Sequence, residues 1–88
     1  MLNYPKTIPE AVDILMHILP EEDLEKIKSI SEDDLTDLHY GLGQWIRNEF
    51  GLWNENYELM NDCGAKNQDD ASIVILKNLR IYILSHGS

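Results

Sequence analysis

SIVILKNLRIYIL, residues 72–84, decides the fold. Its two ends, SIVIL and RIYIL, are rich in β-branched residues, which favour strands because a branched side chain packs well on a pleated surface. Two short strands would need a turn between them, and the intervening residues offer neither glycine nor proline. Leu76, Leu79 and Ile83 instead recur at spacings of three and four, the period that aligns one face of a helix. A helix from about Asp70 to Ser85 is expected, with Gln68 or Asp69 as cap and Asp70 in the first turn, where a carboxylate meets the positive end of the backbone dipole. Apolar on more than one face, this helix should cross the centre of a bundle or offer a surface to a second copy of the chain.

The segments upstream are helical by the same logic. In TIPEAVDILMHILP, residues 7–20, Thr7 and Glu10 have capping-box spacing and Pro9 falls in the first turn, where its missing N–H is harmless. Val12, Leu15, Met16 and Leu19 form the buried stripe, and Pro20 ends the helix. Pro20 also opens PEEDLEKIKSI, with three acids at the start, Lys26 and Lys28 near the end, and Leu24 and Ile27 facing inward. A third helix is expected from the Ser31 cap to about Phe50 through Leu35, Leu38, Leu42, Trp45 and Ile46, stopped by a left-handed Gly51. A fourth, short helix in ENYELMNDC would be capped by Asn54 and closed by Gly64. The expectation is an all-α compact bundle of about five helices, with residues 1–88 as a single domain around one core.

Composition narrows the function classes. The formal net charge is −9 over 88 residues. Between Glu10 and Asp37 ten acids face only Lys26 and Lys28, a local net of −8. Such a field repels phosphate backbones and anionic lipid surfaces, so direct nucleic-acid binding is disfavoured, while a basic protein partner is admitted. No apolar run reaches the roughly 18 residues of a membrane span, and the first ten residues lack the apolar stretch of a signal peptide. The lone Cys63 cannot form an internal disulfide. A cytoplasmic location is expected.

HYGLGQWIRNEFGLW, residues 39–53, concentrates the residues that a site would use. A glycine within a helix costs about 1 kcal/mol relative to alanine, so Gly41 and Gly43 imply a neighbour packed closely against them. Trp45 and Trp53 belong in the core or at its edge. Arg47 is the only arginine or lysine between Lys28 and Lys66. One reading pairs it with Asp69 or Asp70 at the start of the last helix, a bidentate tie between distant segments. The other joins His39, Tyr40, Arg47 and Asn48 into an anion pocket, with a tryptophan such as Trp45 as stacking surface.

LHYGLGQWIRNEFGLW and DDASIVIL, with looser support from PKTIPEAVDIL, resemble a family of small bacterial domains of unknown function, DUF6794. The first pattern, L-H-x-G-L-G-x-W-I-R-N-x-x-G-L-W, is matched in full. In the second, H-P-D-D-x-S, Asp69, Asp70 and Ser72 match, whereas Asn67 and Gln68 replace His-Pro. The resemblance implies no activity. It implies that His39, Arg47, Asn48, Asp69 and Asp70 belong to one constellation.

No catalytic residues, metal ligands or cofactor motif are identified. Cys63 beside Asp62 has no activating base, His17 and His86 have no ligand set, and the acids fall where helix dipoles account for them. The expectation is a non-enzymatic, acidic protein-interaction module, an inhibitor, antitoxin or immunity-type protein for a basic partner. The alternative is a binder of nucleotides or other anions through Arg47 and neighbouring aromatics, and homo-oligomerisation through the last helix is a third reading.

Overall fold

A computed structural model describes residues 4–31, 34, 41–52 and 56–86. Five helices succeed one another among them: α1 (Ile8–Ile18), α2 (Glu21–Ser29), α3 (Leu42–Glu49), α4 (Tyr57–Cys63) and α5 (Gln68–His86). The described residues contain no strand.

The 19 residues of α5 extend about 28 Å at the usual helical rise, most of the 34 Å long axis of the molecule. The other four helices all pack against α5. Ala71, Ile75, Leu76 and Leu79 are fully buried along it, and Ile83 nearly so. Burying an Ile or Leu contributes about 2 kcal/mol, whereas a β-branched residue in a helix forfeits well under 1 kcal/mol. Central burial therefore outweighs strand propensity. The helix starts slightly earlier than its sequence suggests, because the Asn67 side chain accepts the Asp70 N–H at 2.8 Å. Asn67 takes the capping role expected of Gln68 or Asp69.

At the start of α1 the Thr7 hydroxyl accepts the Glu10 N–H and donates to the Glu10 carboxylate, both at 3.3 Å. The Ile8 N–H is taken by Asp62 of α4, at 2.6 Å, so a carboxylate 54 residues away completes the cap. Pro20 divides α1 from α2, its carbonyl accepting the Asp23 and Leu24 N–H groups. Only Ile27 of α2 is fully buried, which leaves Glu21, Glu22 and Glu25 exposed. Arg80 of α5 donates to the Ile30 carbonyl at 2.9 Å, placing a cation at the negative end of α2.

The expected single helix from Ser31 to Phe50 does not hold. Helix α3 begins at Leu42, with Gly41 as its N-cap at φ −106° and ψ −85°, outside helical geometry. Leu35 and Leu38 lie outside the described residues. Among the described residues, nothing beyond its own chain neighbours lies within 4 Å of where a Cβ on Gly41 would sit, so the expected close neighbour is not found there; Gly43 is buried.

The close approach occurs instead at Gly51. It has φ +70°, and the Leu52 N–H reaches back to the Arg47 carbonyl at 3.1 Å, the six-to-one bond of a Schellman stop. A Cβ at Gly51 would run into the Tyr4 ring. Gly51→Ala is expected to lower unfolding free energy by about 2 kcal/mol, from left-handed backbone strain plus displacement of that ring. Urea unfolding of the variant checks this; an unchanged midpoint would contradict the packing of Tyr4 on Gly51.

Helix α4 is capped by Asn56 rather than Asn54, and closed as expected by Gly64 at φ +64°. The Asn56 amide also donates to the Pro5 carbonyl at 2.8 Å and the Phe50 carbonyl at 2.7 Å. One buried side chain thus joins the N-terminal segment, the end of α3 and the start of α4.

Candidate functional site

Gly43, Ile46 and Arg47 are the buried residues of α3, a three- and four-residue spacing that turns one face of the helix inward. Arg47 is only 5% exposed. Its Nε lies 3.3 Å from Asp69 Oδ1, and its Nη1 donates to Ser72 Oγ at 3.1 Å. The Ser72 hydroxyl donates in turn to the Asp69 carbonyl at 2.8 Å. The first turn of α5 is thereby fastened to the last turn of α3. The Asp69 carboxylate, 56% exposed, keeps much of its hydration, so the pair avoids the full desolvation penalty of a buried salt bridge.

The residues grouped by sequence divide between two faces. Residues two apart on a helix do not face each other, whereas residues three apart do. Trp45 and Asn48 therefore share a face that Arg47 does not, and both are exposed. Trp45 cannot stack over a group held by the inward guanidinium without a change in α3. Asp70 is exposed in the first turn of α5. His39 and Tyr40 lie outside the described residues, as does Trp53.

Trp45 instead walls a groove of about 680 Å³ between the end of α1, α2 and the start of α3. Ile18, Leu19, Ile27 and Leu42 supply apolar lining, while Asp23 and Lys26 bring charge to it. Trp45 is 37% exposed, and its indole is set edge-on to Phe50, with ring centroids 6.0 Å apart at 72°. Phe50 is buried and so orients the wall. Sequence periodicity did not reveal this groove, because its lining comes from three elements whose relative placement depends on α5. A smaller depression of about 360 Å³ lies between α1 and α5 and includes Val12, Ile81 and Tyr82.

Cys63 is half-buried, its thiol 3.8 Å from the Ala71 carbonyl. Burial first, then the charges of Asp62 and Asp70, push its pKa up to about 11. The neutral thiol is favoured in the folded state. Its contribution to stability is complete below the unfolded value near 9.0 and is lost as pH rises through about 11. At pH 8, Ellman's reagent should modify Cys63 one to two orders of magnitude more slowly than an unstructured cysteine. A rate matching the unfolded chain would contradict this placement.

These features define an all-α fold whose described residues form five helices assembled on the central α5, with a surface groove apart from the buried arginine. The chain belongs to the family described as a domain of unknown function (DUF6794), which matches residues 4–82. No curated protein and no solved structure matches the chain. No described helix is long and apolar enough to cross a membrane.

Proposed function

We propose that this chain is a non-enzymatic protein-interaction module that binds a basic partner through its acidic α1–α2 surface, in the manner of an inhibitor, antitoxin or immunity-type protein. The observation that carries the proposal is the charge on α2. Glu21, Glu22 and Glu25 are exposed on a helix that contributes one fully buried residue to the core. The dipole of α2 accounts for Glu21 and Glu22 in its first turn but not for Glu25, and burial accounts for none of the three, whereas a complementary basic surface would be steered by all of them. Arg47 supports this reading over anion binding, since its guanidinium is engaged with Asp69 and Ser72.

The test is capture of partners from lysate of the source organism by the immobilised protein, compared with a Glu21→Lys/Glu22→Lys/Glu25→Lys variant. A partner retained near 0.05 M salt, released by about 0.5 M, and lost with charge reversal is expected. Retention indifferent to both salt and charge reversal would contradict the proposal.

A further inference from the structure

The geometry points to the groove between α1, α2 and α3 as the docking site for a basic amphipathic helix, whose apolar face seats against Trp45 and Ile18 while its lysines or arginines meet the carboxylates of α2. This rests on the interaction-module reading and deepens it by naming the site and the shape of the partner.

The groove has the volume to take two or three large apolar side chains. Its rim carries two of the exposed large hydrophobics, Trp45 at 37% and Ile18 at 49%. Tryptophan is enriched among residues that dominate binding energy, because its large rigid surface loses little side-chain entropy on contact. Phe50 packs edge-on against the indole and favours that orientation before contact. The charged margin selects the occupant's sign. Asp23 lines the groove, Glu22 precedes it on α2, and Glu49 follows Trp45 by one turn of α3; both glutamates are exposed. Lys26 is the cation in the lining, and it lies one turn from Glu22 and Asp23, which offset it. The described residues offer no sheet edge for an extended peptide to join, so a helix laid in the groove is the mode that fits. A second copy of this chain would bring another net charge of −9, which disfavours self-occupancy.

The probe is an amphipathic leucine–lysine peptide of about 18 residues, long enough for five turns, beside a scrambled isomer of identical charge. Calorimetry and amide-resolved NMR read the binding. The amphipathic peptide should bind about tenfold more tightly than its isomer, shifting the Trp45 indole N–H and the amides of Ile18, Ile27 and Leu42. Trp45→Ala and Ile18→Lys should each weaken it about tenfold or more. Ile18→Lys, at a half-exposed site, carries the test should Trp45→Ala lower the folded fraction. Ile81→Ser, in the smaller depression, should leave affinity unchanged. Equal affinity for both peptides, shifts confined to α2 carboxylates or to Ile81–Leu84, loss on Ile81→Ser, or no binding would each overturn the groove assignment. Should any of these arise while the lysate capture remains sensitive to salt and charge reversal, the module reading stands and only the groove falls.

Discussion

Replacing Asn56 with alanine should lower the unfolding free energy by about 4 kcal/mol, the largest single-site effect expected outside the apolar core. Asn56 is only 9% exposed, and its side chain satisfies three backbone groups: the Pro5 and Phe50 carbonyls and the Leu59 N–H. Losing an N-cap alone costs about 1 kcal/mol. Each buried carbonyl left without a donor adds about 1–3 kcal/mol, which sets the total. Asn56→Asp should be worse at neutral pH, since it removes both donors and brings a carboxylate against two carbonyl oxygens. That carboxyl would be driven toward its protonated form in the folded state. The variant's stability should then be greatest below the ordinary aspartate range and fall as pH rises through the elevated folded value. Urea unfolding of both variants at pH 7 and pH 4 checks the account. A loss of only cap size in Asn56→Ala, or no relative recovery of Asn56→Asp on acidification, would show that Asn56 does not join the three segments.

Arg47→Ala is expected to cost about 3 kcal/mol. The guanidinium contributes an ion pair with Asp69 and a hydrogen bond to Ser72, and its buried stem lies where α3 meets α5. The cost stays at the low end for a broken buried pair because Asp69 is half-solvated and its carboxylate is not stranded. Arg47→Met keeps the apolar stem and should recover about half of the loss. Arg47→Lys should not restore the wild type, because an ammonium cannot span both partners as the planar guanidinium does. Asp69→Asn should cost about 1 kcal/mol. The expected order is Arg47→Ala, Arg47→Met, Asp69→Asn, from most to least destabilising. Ligand sites commonly trade stability for function, so a neutral or stabilising Arg47→Ala would indicate a guanidinium kept for a ligand.

Features resting on local backbone chemistry were legible in the sequence. Thr7, Pro20, Gly51 and Gly64 mark helix ends because hydroxyl caps, missing N–H groups and left-handed glycines act within a few residues. The Arg47–Asp69 pair was legible for another reason: a lone cation among aromatics requires an acceptor, and the start of α5 offered two carboxylates. What sequence left open was decided by distance in space. Asn54 and Asn56 are equally good local caps by sequence, and it is Asn56 that caps α4 and reaches Pro5 and Phe50. Asp62 completes the α1 cap from α4, a contact that no periodicity encodes. Gly41 and Gly43 suggested one continuous helix with a notch, whereas the chain starts α3 at Leu42, leaving Gly41 open and Gly43 buried. Trp45 and Arg47 were grouped because they are near in sequence, yet a two-residue separation turns them to different faces, one toward the groove and the other toward α5.

The inward role of Arg47 underlies both the architecture and the preference for a partner-binding module over an anion site. The most direct measurement follows the Arg47 side-chain Nε–H resonance by nitrogen-resolved NMR during titration with inorganic phosphate and nucleoside triphosphates. A slowly exchanging signal that holds its position through millimolar ligand is predicted, because Arg47 is buried and its charge is already paired with Asp69 of the same chain. A rapidly exchanging signal, or one that moves saturably with ligand, would contradict the account.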